Sequence, residues 1–333
     1  MKKGVYRFIV SEADAGQRLD RFLAANCAGL SRGMARRLID IGGVHLAGGR
    51  TRRCVQPVAA GQEIELYVDG LPLEPFRLEA RQILYQDDCL IGLNKPAGVA
   101  TQPTPARYQG TLYDALLVHL GDRQRPGRKP AVGMVQRLDR DTSGVMVFST
   151  HPKAHKNLTA AFRDKQVQKR YLALVEGQPS PAEGVIRSQL ARRRANNRMV
   201  SVERGGKHAE TRYRVLQDLG SASLLDVEIP TGRSHQIRVH CAEMGHPLLG
   251  DVAYGGAGTA GEIAIPRQML HARELQFEHP VTGKAITLTA EPPEDFRCVL
   301  SHLQSGGPRM VQNHRHEKSA SSQNADEISS LKG

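Results

Sequence analysis

Hydrophobic positions near the start of the chain change their spacing several times, and each change predicts a short element. Alternation favours strands, and recurrence every three or four residues favours helices. The predicted elements are strands in VYRFIV, VHL and GQEIELYV and helices in RLDRFLAAN and LSRGMARRLID. Ser31 fits the N-cap of the second helix, and Gly42 with Gly43 fits its end. The elements that follow the first strand predict a compact α+β unit over residues 14–70.

The segment GLPLEPFRLEARQ contains two prolines and a glycine, which predict a linker over residues 71–82. The pattern of predicted elements changes after it. From residue 83 onward, short apolar strands alternate irregularly with helical patches. The predicted strands lie in CLIGLNKP, GVMVFST, RYLALVEG, ETRYRVL, SLLDVEI and AITLTAE, and the helices in TLYDALLVHL, HPKAHKNLTAAFRD and SHQIRVHCAEMG. This mixture predicts an α+β domain over residues 83–300 with a mostly antiparallel sheet. The polar, serine-rich segment 305–333 predicts a disordered tail.

Composition adds a strong bias toward positive charge. The 333 residues carry a net charge of +12, and arginine dominates two clusters, between Arg18 and Arg53 and between Arg187 and Arg214. A basic excess of this kind favours polyanionic partners, above all nucleic acid, although a basic surface that binds nothing has the same composition. On the second predicted helix, Arg32, Arg36 and Arg37 lie close enough to form one basic patch.

Other features of the composition narrow the cellular setting. No apolar run approaches the roughly 20 residues that a membrane span needs, and no signal-peptide pattern follows the first lysines. The five cysteines are scattered and lack CxxC spacing, which argues against a disulfide framework or a zinc site. We therefore expect a protein of the reducing cytoplasm.

The densest charged stretch precedes a strongly apolar one, in VQRLDRDTSGVMVF, residues 135–148. DTSG is a turn-forming string, so Arg137, Asp139 and Asp141 lie on a loop that the following strand holds still. Such a loop suits a catalytic group. The alternative is structural: an aspartate caps the turn and Arg137 pairs with it at the surface.

Two further stretches carry candidate chemistry. TGRSHQIRVHCAEMGHPLLGD places Arg233 on a turn that opens a helix, where its guanidinium could meet a carboxylate or phosphate. The histidines nearby, His235 and His240 among them, lack a known ligand spacing, and the surrounding cations disfavour a metal ion. KRYLALVEG begins a strand with Lys169 and Tyr171, and Tyr171 is either ordinary strand filling or a ring that stacks on a nucleobase.

These motifs, with LNKPAGVATQP, resemble in order those of the RluA-type RNA pseudouridine synthases across residues 14–300. The N-terminal unit is similar to the αL RNA-binding module of a small-subunit ribosomal protein. The resemblance implies a pseudouridine synthase fold and isomerisation of uridine in RNA without a cofactor. It implies catalysis by Asp139, with Arg233 as its ion-pair partner and Tyr171 stacked on the flipped uracil. One departure is Gln136, where the family usually has histidine.

The implied partner is structured RNA, most of all large-subunit ribosomal RNA, bound by a monomer. Arg137 is expected to fill the space that the flipped base vacates or to hold the neighbouring phosphates. The other expected RNA contacts are Lys169, Arg32, Arg36 and Arg37. Three alternatives remain open: the same enzyme acting on tRNA, a non-catalytic RNA-binding ribosome-assembly factor, and a nucleoside or glycoside hydrolase that uses Asp139 and Asp141 as paired acids.

Overall fold

The computed structural model describes residues 1–121, 132–193 and 198–306. The first unit contains β1 (Gly4–Ile9), α1 (Leu19–Asn26), α2 (Arg32–Ile41), β2 (Val44–Leu46), β3 (Gly49–Thr51) and β4 (Glu63–Val68). Its sheet has the order β1-β4-β2-β3, and both helices pack their apolar sides on it. The Ser31 side chain accepts a hydrogen bond from the amide of Met34, and Gly42 ends α2 with a left-handed φ of 93°. The predicted caps of this helix are confirmed.

The first strand extends this unit beyond the boundary we expected. β1 precedes residue 14 and pairs antiparallel with β4 from Gly4 opposite Val68 to Ile9 opposite Glu63. Its alternate side chains Tyr6 and Phe8 pack against the core of the unit. Because a strand that pairs along its length shares the same sheet, the folded unit begins at Gly4.

A large mixed sheet forms the second part of the described structure. Its elements in chain order are β5 (Ile83–Gln86), β6 (Leu90–Lys95), α3 (Leu112–Gly121), β7 (Gly133–Met134), β8 (Ser143–Ser149), α4 (Pro152–Arg163), β9 (Gln168–Glu176), β10 (Glu183–Arg192), β11 (Met199–Val202), β12 (Lys207–Asp218), β13 (Ala222–Glu228), α5 (Gln236–Glu243), β14 (Thr259–Ala260), β15 (Ile263–Ala264), β16 (Leu270–Glu278), β17 (Ala285–Thr289) and α6 (Glu294–Gln304). The main path is β11-β10-β12-β13-β9-β16-β8-β6-β5, with β17 beside β16 and β7 beside β8. β8 pairs parallel with β16, and the other pairs are antiparallel, which confirms the predicted α+β fold with a mostly antiparallel sheet.

The central strands of this sheet are buried on both faces, and for that reason β8 and β9 are almost continuously apolar. Along β8, Met146 and Phe148 face the core that includes α3 and α5, whereas Val145 and Val147 face α4. β9 follows the same rule, because Tyr171 and its alternate neighbours face α3 and α5 while the residues between them face α6. Alternation along β9 thus fixes which face carries Tyr171.

The N-terminal unit is bound to the segment that follows β6. Arg107, which is 3% exposed, donates two hydrogen bonds to the carboxylate of Asp69 and a third to the carbonyl of Pro72. The amide of Tyr108 donates to the carbonyl of Ile41 at 2.8 Å. These contacts join the end of α2 and the start of the predicted linker to the larger unit.

Two predictions concern the C-terminal segment and membrane-spanning helices. The expected disordered tail, 305–333, lies outside the described residues apart from Ser305 and Gly306. Within the described ranges, no helix has both the length and the apolar character that a membrane crossing needs.

Candidate active site

Asp139 lies on a loop that side chains from distant parts of the chain hold by its carbonyl groups. Thr101 Oγ1 donates to the carbonyl of Leu138 at 2.7 Å, and Lys95 Nζ donates to that of Arg140 at 2.7 Å. Arg267 Nη1 donates to the carbonyl of Asp141 at 3.0 Å. Three buried donors therefore hold three carbonyl groups around Asp139 and leave the backbone there little freedom.

The strand behind the loop is held equally tightly. Gly144, the second residue of β8, has a φ of 117°, and a Cβ there would lie 2.1 Å from the carbonyl oxygen of Ala272. Only glycine fits this close approach of β8 to β16. The turn before the apolar run of β8 is therefore fixed where β8 and β16 form the one parallel strand pair described in this sheet.

An arginine on α5 bridges Asp139 and a second, buried aspartate. Arg238 Nη1 lies 3.0 Å from Asp139 Oδ2, while its Nε and Nη2 donate to the two oxygens of Asp251 at 2.6 and 2.7 Å. The side chain of Asp251 is 2% exposed and that of Arg238 10%. Burial lowers the pKa of Arg238, but the hydrogen bonds and charge of Asp251, together with the charge of Asp139, more than offset it, so that the pKa lies above its usual value. The guanidinium stays charged and presents one N–H edge to Asp139.

Tyr254 and His235 complete the surroundings of this arginine. The guanidinium carbon of Arg238 lies 4.9 Å from the centre of the Tyr254 ring, an arrangement that favours a cation. The Tyr254 hydroxyl is 2.8 Å from His235 Nδ1, and His235 Nε2 is 3.8 Å from Asp139 Oδ2. Burial is the main cause that lowers the pKa of His235. A neutral imidazole therefore lies beside the carboxylate.

The structure corrects the expected partner of Asp139. Arg233 precedes α5, and its Nε donates to the carbonyl of His208 at 2.9 Å, so the ion pair with Asp139 belongs to Arg238 instead. Arg238 was not among the residues that the sequence predicted for the site. A signal was present, because α5 is buried on all sides from Gln236 to Cys241, and an arginine inside such a helix requires a buried acid.

Tyr171 lies under the same region. Its side chain is 7% exposed, belongs to the core between the sheet and α5, and lines the cleft that contains Asp139. Burial, reinforced by the charge of Asp139, raises the pKa of Tyr171 above its usual value. The phenol is therefore neutral at physiological pH. A neutral ring suits stacking on a nucleobase, whereas a role as a proton acceptor would require the phenolate.

The cleft around these residues is strongly cationic. It has a volume of about 680 Å³, and Asp139 is the only carboxylate among the described residues that line it. Eight Lys and Arg side chains line it: Arg137, Arg140, Arg163, Lys165, Lys169, Arg192, Arg233 and Arg238. A single acid inside a basic cleft suits a polyanionic substrate whose reacting part is uncharged.

Asp141, the other acid of the opening motif, is turned elsewhere. Its two carboxylate oxygens accept from Arg140 at 2.8 and 2.6 Å, and it does not line the cleft. A hydrolase with paired acids needs both carboxylates on the substrate. The observed geometry does not provide that pair.

The predicted RNA contacts divide into two groups. Arg137 is exposed, with Nη2 3.3 Å from Ser234 Oγ, and Lys169 lines the same cleft. The arginines of α2 do not line it: Arg32 pairs with buried Asp20 at 3.0 Å, Arg37 pairs with Glu74, and Arg36 is exposed. The structure thus brings Asp139, Tyr171, Arg137, Lys169 and Arg233 into one cleft and places the arginines of α2 outside it.

The histidines near α5 have hydrogen-bond partners of their own. His240 contacts Thr211 and Ser188, and His246 contacts the carbonyl of Glu176. Among the residues that can be described, no group of three or more His, Cys, Asp or Glu side chains has the arrangement of a metal site.

Comparison with known proteins agrees with this geometry. Residues 90–243 match the family described as RNA pseudouridylate synthase. A Zymomonas mobilis protein named ribosomal large subunit pseudouridine synthase D is 36% identical over 307 residues, 88% of this chain and 96% of that protein. An uncharacterised RNA pseudouridine synthase of Synechocystis is 35% identical over 312 residues, 90% of this chain and 93% of its own length.

A solved structure agrees with these sequence matches. The structure of human RNA pseudouridylate synthase domain containing 4 has a TM-score of 0.56 and 28% identity, covering 67% of this chain and 93% of that one. The resemblance to the RluA-type RNA pseudouridine synthases is therefore confirmed. The chain belongs to the RNA pseudouridine synthase family, in its RluA-type branch, and is an enzyme that isomerises uridine to pseudouridine in RNA.

Proposed function

We propose that this enzyme modifies specific uridines of large-subunit ribosomal RNA in the cytoplasm, with Asp139 as the catalytic carboxylate. The observation that carries the proposal is the single, arginine-bridged carboxylate in a cleft with eight Lys and Arg side chains. The Zymomonas mobilis relative, whose name refers to the large ribosomal subunit, supports the choice of RNA.

The reaction balances without a cofactor. The bond between C1′ of ribose and N1 of uracil breaks, the uracil rotates, and a bond forms between C1′ and C5. The proton on C5 leaves and N1 gains a proton. A carboxylate assists by attacking C1′, or by removing a proton from the sugar on the way to a glycal, and both routes start from the ionised side chain of Asp139.

Each neighbour of Asp139 has a separate role in this proposal. Arg238, held by Asp251, orients the carboxylate, and its positive charge offsets the negative charge that the departing uracil gains. Tyr171 presents a neutral ring on which the flipped uracil stacks. Arg137, exposed at the cleft, fills the place of the flipped base or holds the phosphates around it.

The N-terminal unit supplies a second set of RNA contacts in this proposal. Arg36 is exposed on α2, and the side chains of Arg32 and Arg37 remain 44% and 54% exposed despite their ion pairs. Contacts with phosphates through these three residues would be independent of base sequence and would weaken as salt rises.

Pseudouridine mapping of total RNA by carbodiimide-adduct sequencing tests the proposal. Cells would carry the wild-type gene, a deletion, Asp139→Asn, or Asp141→Asn as a matched control on the same loop. We expect one or a few large-subunit sites to disappear in the deletion and with Asp139→Asn, and to persist with Asp141→Asn, because Asp141 does not line the cleft.

Other outcomes would redirect the proposal. Lost sites in tRNA alone would refute the ribosomal target, while an unchanged map in cells that express the protein would refute its action there and favour an RNA-binding assembly factor. Loss of the sites with Asp141→Asn as well as Asp139→Asn, with release of free uracil by the purified enzyme, would favour the paired-acid hydrolase.

A further inference from the structure

Lys169 is the cation of the cleft whose position is hardest to explain by folding alone. It is the second residue of β9, is only 7% exposed, and shares a strand face with Tyr171 two residues later. Its Nζ lies 5.9 Å from the centre of the Phe162 ring and 3.9 Å from the position a Cβ would occupy at Gly232. The ammonium group is therefore held between α4 and the loop that leads into α5.

The charges near this ammonium are of the wrong sign to stabilise it. Within residues 1–121, 132–193 and 198–306, no carboxylate forms an ion pair with Lys169 and no acceptor forms a hydrogen bond with its Nζ. Burial, followed by the charges of Arg233 and Lys165, lowers the pKa of Lys169 to about 8. A cation this deeply buried is costly unless an anion accompanies it.

Arg233 can bind the same anion as Lys169. Its Nε donates to the carbonyl of His208, and its backbone amide donates to Gln236 Oε1 at 3.1 Å, so both ends of the residue are anchored. The described hydrogen bonds of the guanidinium use Nε alone, and the residue is exposed. A fixed guanidinium beside a buried ammonium is a combination that binds phosphate.

We propose that Lys169 and Arg233, with Lys165 at the rim, form a subsite for one phosphodiester group next to the flipped uridine. This inference rests on the proposed function and adds a task that the chemistry demands. After the glycosidic bond breaks, the uracil must rotate while the ribose keeps its place beside Asp139. The phosphate is covalently linked to that ribose, and anchoring it holds the sugar still while the base moves.

A thermodynamic cycle with uncharged linkages tests the subsite. The probe is an RNA oligomer that spans a uridine identified by the mapping above, with single methylphosphonates placed in turn at the linkages around it. For the wild-type enzyme, we expect one linkage adjacent to the target to weaken binding about tenfold when it is neutral, the effect of losing a charge-assisted contact.

Lys169→Met supplies the second side of the cycle, because methionine keeps the length of the side chain and removes its charge. This variant should bind the unmodified oligomer about tenfold more weakly, and the neutral linkage that mattered in the wild type should then have no further effect. Other linkages should keep their wild-type effects. Lys156→Met, an exposed lysine on α4 that does not line the cleft, is the matched control and should behave as wild type throughout.

Two results would overturn the subsite. If no linkage adjacent to the target matters for the wild-type enzyme, Lys169 holds no phosphate there, whatever the stability of the variant. If the effects of Lys169→Met and every methylphosphonate simply multiply, the two groups do not meet. In either case conversion of the unmodified oligomer to pseudouridine would show that the proposed function stands without the subsite.

Discussion

Replacing Asp251 by asparagine tests the idea that a buried acid positions the arginine on Asp139. The substitution preserves shape but removes the charge that accepts from Nε and Nη2 of Arg238 at 2.6 and 2.7 Å. Removing one partner of a buried ion pair costs about 3–5 kcal/mol, and the lower end applies because Asp139 still faces the guanidinium. A loss of about 3 kcal/mol corresponds to a fall in melting temperature of roughly 6–12 °C.

The same substitution should affect turnover more than substrate binding. Asp251 does not line the cleft, so KM for the RNA oligomer should change little. Arg238 would lose the clamp that aims its Nη1 at Asp139 Oδ2, and misplacement of about 1 Å in such a constellation costs about 10²-fold in kcat. Urea unfolding and steady-state pseudouridine formation measure the two effects on the same preparation.

A matched control separates burial from ion pairing as such. Asp164 also accepts a two-pronged contact from an arginine, Arg163, at 2.7 and 3.0 Å, but both side chains are exposed. Asp164→Asn should leave the melting temperature unchanged. If Asp251→Asn behaves like this control, or if it loses stability with kcat within twofold of the wild type, Asp251 does not position the catalytic pair.

Three further predictions concern groups around the site and between the units. Burial lowers the pKa of Lys95 to about 7, so the native state loses this proton before the unfolded state does. The free energy of unfolding should therefore rise between about pH 7 and 10.4, by at most about 1.4 kcal/mol per pH unit, and urea titrations should show no such contribution in Lys95→Met. The Nε2 of Gln136 is buried without a hydrogen-bond partner in the described structure. Gln136→Met should therefore raise the free energy of unfolding, measured in urea, by about 1 kcal/mol. A decrease would contradict this account. Asp69→Asn removes the carboxylate that pairs with Arg107. Limited proteolysis within residues 71–82 should therefore become faster than in the wild type. An unchanged rate would show that other contacts suffice to dock the N-terminal unit.

Local patterns were sufficient to predict elements whose register is regular. The apolar run of β8 and the capped helix α2 are examples, because each is specified by neighbours in sequence. β16 was missed although it lies in the middle of the large sheet. A bulge between Ala272 and Glu274 moves the apolar side chains from one face to the other, so Leu270 and Ala272 join the core under α5 while Leu275 and Phe277 join the core under α4. A one-residue shift of this kind breaks the period of two on which strand prediction depends.

The site was predictable only in part for a related reason. The loop that carries Asp139 could be predicted as a candidate site because charge, turn and apolar strand follow one another in a single stretch, and the family resemblance then implied the role of Asp139. Its partner could not, because Arg238 is 99 residues away and its competitor Arg233 differs from it only by lying before α5 rather than within it. Which of the two reaches the carboxylate depends on the direction in which α5 crosses the sheet. That direction is a property of tertiary packing, and the motif does not contain it.

The Asp139–Arg238–Asp251 triplet also explains how a basic cleft can place an uncharged sugar against an acid. Two carboxylates share one guanidinium, so this point of the cleft has a net negative charge while the remaining cations line its walls. A phosphate is repelled from the triplet and attracted to the walls, for example to Lys169, which has no acidic partner among the residues described. The net charge of the triplet therefore favours an uncharged part of an RNA strand over a phosphate beside Asp139.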